Sequence, residues 1–210
     1  KLSGDITTAN TAGGNVTITG PVTLVEDVII DASANNTTVS FGSTSTVNSD
    51  STTGGHALTI KTGTATTGAV AMQAAIGNAT PLKSLSINNT GTAAGAIELV
   101  GIGNSTGPVY GVINATAIGN SSTGSITLDG TVYTTGGTFD LTTGTGDKIL
   151  VTNASGATIT TSDDDITFTG GNVKISEGVA SLTMTTGSGT ADGNIAIAGS
   201  IIGDDTSTGA

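Results

Sequence analysis

Along this chain the apolar residues fall at every second position of short runs, separated by glycine- and threonine-rich turns. Val16-Thr17-Ile18, Val22-Thr23-Leu24, Val28-Ile29-Ile30 and Val39-Ser40-Phe41 open the series, followed by an apolar anchor at Val47. It resumes with Ile126-Thr127-Leu128, Val132-Tyr133, Phe139-Asp140-Leu141, Ile149-Leu150-Val151, Ile159, Ile166-Thr167-Phe168 and Val173-Lys174-Ile175. Alternation over so few residues, rich in β-branched side chains, predicts half-buried strands. Residues 103 to 123 are the least regular, with Val109, Val112, Ile113 and Ile118 at uneven intervals. Residues 69 to 76 have helical propensity, but their place in the pattern predicts a strand at Val70-Ala71-Met72.

Three stretches repeat one phrase. Leu58-Thr59-Ile60 leads to Val70-Ala71-Met72 and Ile76-Gly77. Leu85-Ser86-Ile87 leads to Ile97-Glu98-Leu99 and Ile102-Gly103, and Leu182-Thr183-Met184 to Ile195-Ala196-Ile197 and Ile202-Gly203. Each is strand, polar turn, strand, and a last apolar anchor closed by glycine. Units of this kind predict an all-β chain, a parallel β-helix or β-solenoid in which each coil templates the next. The anchor spacing suggests ~20–25 residues per coil. The chain would then hold roughly nine coils in a rod about 45 Å long. Residues 1–210 read as one solenoid segment of a longer repetitive structure, with a polar tail over 204–210 expected to fray.

Composition agrees. Threonine outnumbers even the 33 glycines, aromatic residues make up 2%, and Cys, Trp and Arg are absent. A narrow column of small side chains needs few large ones, whereas a single globular core would be thin. Disorder does not fit: charged residues are only 10%, Pro only 3, and the apolar residues are patterned. The net charge of −11 argues against nucleic acid and against anionic lipid as partners. No stretch approaches the ~18 apolar residues that span a bilayer, so no membrane insertion is expected. Lys1 opens the chain without a basic-then-apolar leader, which favours a segment cut from something longer.

These units resemble the β-strand repeats of giant bacterial filamentous-haemagglutinin-like adhesins and autotransporter-type passenger segments. The pieces that carry the resemblance are Val22-Thr23-Leu24 before Val28-Ile29-Ile30-Asp31, Val39-Ser40-Phe41-Gly42, Ala57-Leu58-Thr59-Ile60 with Gly63, and Ser125 to Gly130. The string from Ala75 to Ile87, containing Ile76-Gly77, Thr80-Pro81-Leu82 and Ser84-Leu85-Ser86-Ile87, is the most specific. The resemblance implies a right-handed parallel β-helix, as does the general crossover rule. It also implies an extracellular or cell-surface location and a role as stalk or adhesive filament. Neighbouring copies or further repeats of the same chain, and surface glycans, are then the expected partners. It supplies no active-site residues.

Candidate chemistry is sparse, and no enzyme, catalytic residue, metal site or cofactor is expected. His56 is the only histidine and sits in a polar loop, where a triad would need a neighbouring nucleophile and an orienting carboxylate. Asp163-Asp164-Asp165 is the densest acidic run; it reads as a solvated turn, with a Ca²⁺ site and a carboxylate pair for glycan hydrolysis as lesser alternatives. Four Thr-x-Thr triplets, Thr17-Ile18-Thr19, Thr158-Ile159-Thr160, Thr167-Phe168-Thr169 and Thr183-Met184-Thr185, would point two hydroxyls outward each. Ranks of such threonines resemble ice-binding β-helices, but their uneven spacing argues against a regular rank. Sequons at Asn15, Asn36, Asn78, Asn88, Asn104, Asn114, Asn120 and Asn153 are glycan acceptors only in a suitable host, and asparagine in turns has its own structural reasons. Gly101-Ile102-Gly103 and Gly144-Thr145-Gly146 lack the Lys-Ser/Thr pair of a phosphate loop. Uncapped ends suggest a rival reading, a discrete subunit that polymerises head to tail; a glycan- or ice-binding face is another.

Overall fold

A computed structural model describes residues 1–8, 14–35, 37–53, 55–89, 91–105, 110–187 and 192–204. Nearly all of the regular structure is parallel strand, stacked as a β-solenoid of about 7 turns. Sheet I stacks β1 (Ile6–Thr7), β4 (Val28–Ala32), β7 (Leu58–Thr62), β9 (Leu85–Ile87), β11 (Thr116–Gly119), β14 (Phe139–Thr142), β17 (Ile166–Thr169) and β20 (Ile195–Ile197). Sheet II stacks β2 (Val16–Ile18), β5 (Val39–Phe41), β8 (Val70–Met72), β10 (Ile97–Leu99), β12 (Ile126–Leu128), β15 (Lys148–Val151), β18 (Asn172–Ile175) and β21 (Ile201–Gly203). Sheet III is thinner: β3 (Val22–Leu24) pairs with β6 (Val47–Ser49), and β16 (Ala157–Thr160) lies between β13 (Val132–Thr134) and β19 (Leu182–Thr185). Single bridges from Val47 to Ile76, Ile76 to Ile102 and Ile102 to Tyr133 join these two groups.

The alternation does what a period of two must. In β7, Leu58, Ile60 and Thr62 are buried while Thr59 and Lys61 point outward. The inward residues of the three sheets meet in one continuous core, whose widest side chains, Tyr133, Phe139 and Phe168, stack edge to face at 6.1 and 6.4 Å. Val70–Met72 is a strand, as its place in the pattern predicts.

Two expectations need correction. Register partners lie between 22 (Leu2 to Leu24) and 31 (Leu85 to Thr116) residues apart, most of them more than 23, so the coils are longer and fewer than the anchor spacing suggests. Each turn needs three strands and three corners, and the corners vary in length. The repeated phrase also does not always occupy the same faces. The first two phrases lie directly on one another: Leu58 pairs with Leu85, Val70 with Ile97 and Ile76 with Ile102. The third has slid round by one face, because Leu182 belongs to sheet III, Ile195 to sheet I and Ile202 to sheet II. As for the tail, Asp204 is held, its N–H donating to Ile175 O at 2.9 Å and its carboxylate pairing with Lys174 at 2.8 Å. The rest of the tail, 205–210, lies outside the described residues.

Candidate functional site

The polar residues with chemical potential sit at the corners, and most of them are occupied in stitching one coil to the next. Six do so in the same way, each standing at the threshold of a strand. Asp5 Oδ1 accepts the N–H of Ile29 at 2.8 Å, Asn15 Oδ1 that of Thr38 at 3.1 Å and Asp27 Oδ1 that of Ala57 at 2.9 Å. Asp165 accepts from Asn194 N at 2.7 Å, Asn172 from Ser200 N at 2.9 Å and the Ser125 hydroxyl from Lys148 N at 3.2 Å. The ladder leaves one N–H of the overlying coil without a carbonyl partner at this point. A short side-chain acceptor stacked beneath it fills the gap. The sequence carries this signal as Asp, Asn or Ser immediately before an alternating run, although sequence reasoning passed over it.

The acidic run therefore has a structural role. Asp165 caps the strand threshold above it and also accepts from the Asn194 side-chain amide at 3.2 Å, while Asp164 offers its backbone carbonyl to the Thr161 hydroxyl at 2.5 Å. Among the described residues no group of three His, Cys, Asp or Glu side chains is placed to hold a metal ion.

His56 lies at a corner spanning three coils. Its Nε2 is 3.1 Å from Asp50 Oδ1, its Nδ1 is 3.9 Å from Asp27 Oδ1, and Lys83 Nζ is 3.9 Å from the other Asp27 oxygen. His56 O also accepts the N–H of Lys83 at 2.9 Å. Both ring nitrogens face carboxylates, so the ring has no nitrogen aimed at a hydroxyl nucleophile. The geometry is that of a surface charge cluster, with side chains that remain 24% to 60% exposed.

The sequons divide by burial. Asn88 and Asn120 are 2% and 8% exposed and belong to a buried polar corner. Asn88 Oδ1 accepts from Thr62 N at 2.7 Å, its amide donates to the Thr62 hydroxyl at 2.8 Å, and the Asn120 amide donates to Asn88 O at 2.5 Å. Asn153 donates to Asp129 O at 2.8 Å, and the Asn104 amide donates to Asn78 O. Asn114 has an exposed side chain; Asn36 lies outside the described residues. A glycan on Asn88 or Asn120 would require the corner to open.

Among the hollows lined by the described residues, two bear on function. One, at the corner between sheets I and II, is lined by Asp31, Ser33, Lys61, Thr62 and Thr92. The Ser33 hydroxyl and N–H hold the Asp31 carboxyl below the usual range. The other is the mouth of the lumen beside the first coil, lined by Leu2, Ile6, Ile18 and Val22.

The Thr-x-Thr triplets are distributed over all three sheets. Thr17 and Ile18 lie on sheet II, Thr167 to Thr169 on sheet I, and the other two triplets on sheet III. These last two stack in register, Thr158 on Thr183 and Thr160 on Thr185, so adjacent coils do form a rank here despite the uneven spacing of the four triplets. Comparison with known families, with characterised proteins and with solved structures finds no match to this chain.

Proposed function

We propose that this chain is a non-catalytic structural and adhesive rod of a microbial surface or secreted filament, built by the stacking of β-coils. The observation that carries the reading is the employment of the polar residues. Strand-threshold Asp, Asn and Ser, among them Asp165 of the acidic run, and buried corner Asn and Thr are bonded to neighbouring coils rather than converging on a pocket. An active site gathers groups with altered proton affinity around a cleft, whereas here Asp31, Tyr133 and Asp140, the groups whose proton affinity is altered, lie apart on β4, β13 and β14, with Tyr133 buried in the lumen. The outward Thr, Ser and Asn surface stays hydrated and touches glycans or neighbouring rods weakly at many places, so that attachment grows by multivalency. Immunogold labelling of producing cells with an antibody against this chain tests the location. Label along surface fibres supports the proposal, and label confined to the cytosol overturns it.

A second reading is that of a subunit stacking head to tail, favoured by the large apolar side chains at the edges of the solenoid. Ile195 and Ile201, on the last strands of sheets I and II, are 46% and 53% exposed, and the mouth beside Leu2 and Ile6 is apolar. Both surfaces suit another coil of the same geometry. Mass measurement on native material separates the readings: a discrete 20.1 kDa species that assembles into fibres favours the subunit, and a much larger chain favours the continuous rod.

A further inference from the structure

We propose that the threonine array on sheet III binds ice. The array is formed by Thr158 and Thr160 of β16 and Thr183 and Thr185 of β19, paired Thr158 to Thr183 and Thr160 to Thr185. The intervening Ile159 is buried and Met184 packs against the core, which fixes all four threonines on the outer side. The backbone sets both repeats: stacked strands place hydroxyls about 4.8 Å apart along the rod, and positions i and i+2 of a parallel strand place them about 6.6 Å apart across it. These two repeats approximate the oxygen spacings on a prism face of ice.

The hydroxyls are also available. One coil below, Thr134 continues the column, but its hydroxyl lies 3.3 Å from Ile102 O and 3.2 Å from the N–H of Gly111. Among the described residues the hydroxyls of Thr158, Thr160, Thr183 and Thr185 have no such partner. Threonine is stiff about χ1, so its hydroxyl and methyl are held in place before binding and little side-chain entropy is lost. Each hydroxyl offers a donor and two acceptor lone pairs to a lattice water. Each contact is weak, but the lattice engages all four together, as in any multivalent attachment.

The face suits ice better than sugar. A saccharide site is concave, with convergent polar groups, and sugar rings favour an exposed aromatic platform. This face is a sheet surface carrying no charge at the four positions, and the nearby Tyr133, Phe139 and Phe168 rings are fully buried in the lumen.

The test is ice-crystal habit and ice recrystallisation with the purified chain at millimolar concentration. The expected result is faceted crystals and retarded grain growth. The double variant Thr160→Lys/Thr183→Lys, shown to be folded by circular dichroism and thermal melting, loses both effects. Thr59→Lys, on the outer side of sheet I, retains them. Round, unshaped crystals with the native chain overturn the proposal, as does undiminished faceting by the folded double variant. Co-sedimentation with crystalline chitin or cellulose without ice shaping assigns the face to a polysaccharide and likewise overturns it.

Discussion

Asn88 concentrates, in one side chain, the forces that hold a corner of this solenoid. Its φ of 51° lies in the left-handed region, which asparagine tolerates better than most residues. Buried, it satisfies both the N–H and the hydroxyl of Thr62. Asn88→Ala removes those bonds, leaves Thr62 N without an acceptor and keeps the backbone strain, so a loss of about 2 kcal/mol is expected. A lower urea midpoint with unchanged m-value would show it, and an unchanged midpoint would remove the corner from the account. Asp140 is a residue-scale liability of the opposite kind. Burial pushes its carboxyl above the usual carboxylate range and Asp165 adds to this, while hydrogen bonds from Thr167 and Thr138 oppose it. A folded group that holds its proton more tightly than the unfolded chain contributes stability at low pH, which is lost as pH rises through its folded value. Asp140→Asn should therefore melt higher than the native chain at pH 7, with the advantage disappearing below the ordinary Asp value of about 3.9. Asp31 runs the other way: its lowered carboxyl contributes above that value and less as pH falls, by an amount that solvent screening keeps small.

At the scale of the element, a coil depends on how tightly its corners turn. Gly119 ends β11 with φ of 81°, and a Cβ there would stand 2.0 Å from Thr142 O in the next coil. Gly146 has a similar φ, 101°, but nothing within 4 Å. Alanine at Gly146 should cost only the left-handed strain, about 1 kcal/mol. Gly119→Ala must in addition push two coils apart and should lower the melting temperature clearly more; equal shifts would mean that the coils are not closely stacked at that corner. The same contrast explains what was legible beforehand. The strands, their inward faces and the stacking of Leu58 on Leu85 follow from alternation, because pleat and burial impose a period of two on any half-buried strand. The face on which a strand lies does not follow. The burial pattern of β3, β5 and β9, one strand on each sheet, is the same, and the identity of the face depends on corner lengths that vary from coil to coil. Leu182 therefore looked like Leu58 while lying one face away. For the same reason the triplets at Thr158 and Thr183 could be read as outward-pointing but not as neighbours. The strand-threshold acceptors were visible as residue types, but their role appears only when the coil above is placed over them.

At the scale of the whole molecule, the isolated stack has two edges whose ladders meet no further strand among the described residues, and the balance there is between apolar burial and charge. Ile195 and Ile201 expose large side chains on the last strands of sheets I and II, and the lumen opens at the other edge beside Leu2, Ile6 and Ile18. Burying a side chain of this size contributes roughly 1.5–3 kcal/mol, and free parallel strands add hydrogen-bonding groups that favour another coil. Opposing this, each chain carries a net charge of −11. Repulsion between whole chains is long-ranged and is screened over about 10 Å at 0.1 M salt, whereas apolar contact at the edge is not screened. Self-association of the isolated chain should therefore increase as salt is raised, opposite to an assembly held by ion pairs. Sedimentation velocity across a salt series would follow it as a rise in average mass with ionic strength and protein concentration. Ile201→Lys places a charge on the apolar edge and should hold the chain monomeric in high salt, whereas Thr127→Lys, outward on sheet II in the middle of the stack, should not. Association that falls with salt, or that survives Ile201→Lys unchanged, would mean the coil edge is not where these chains meet.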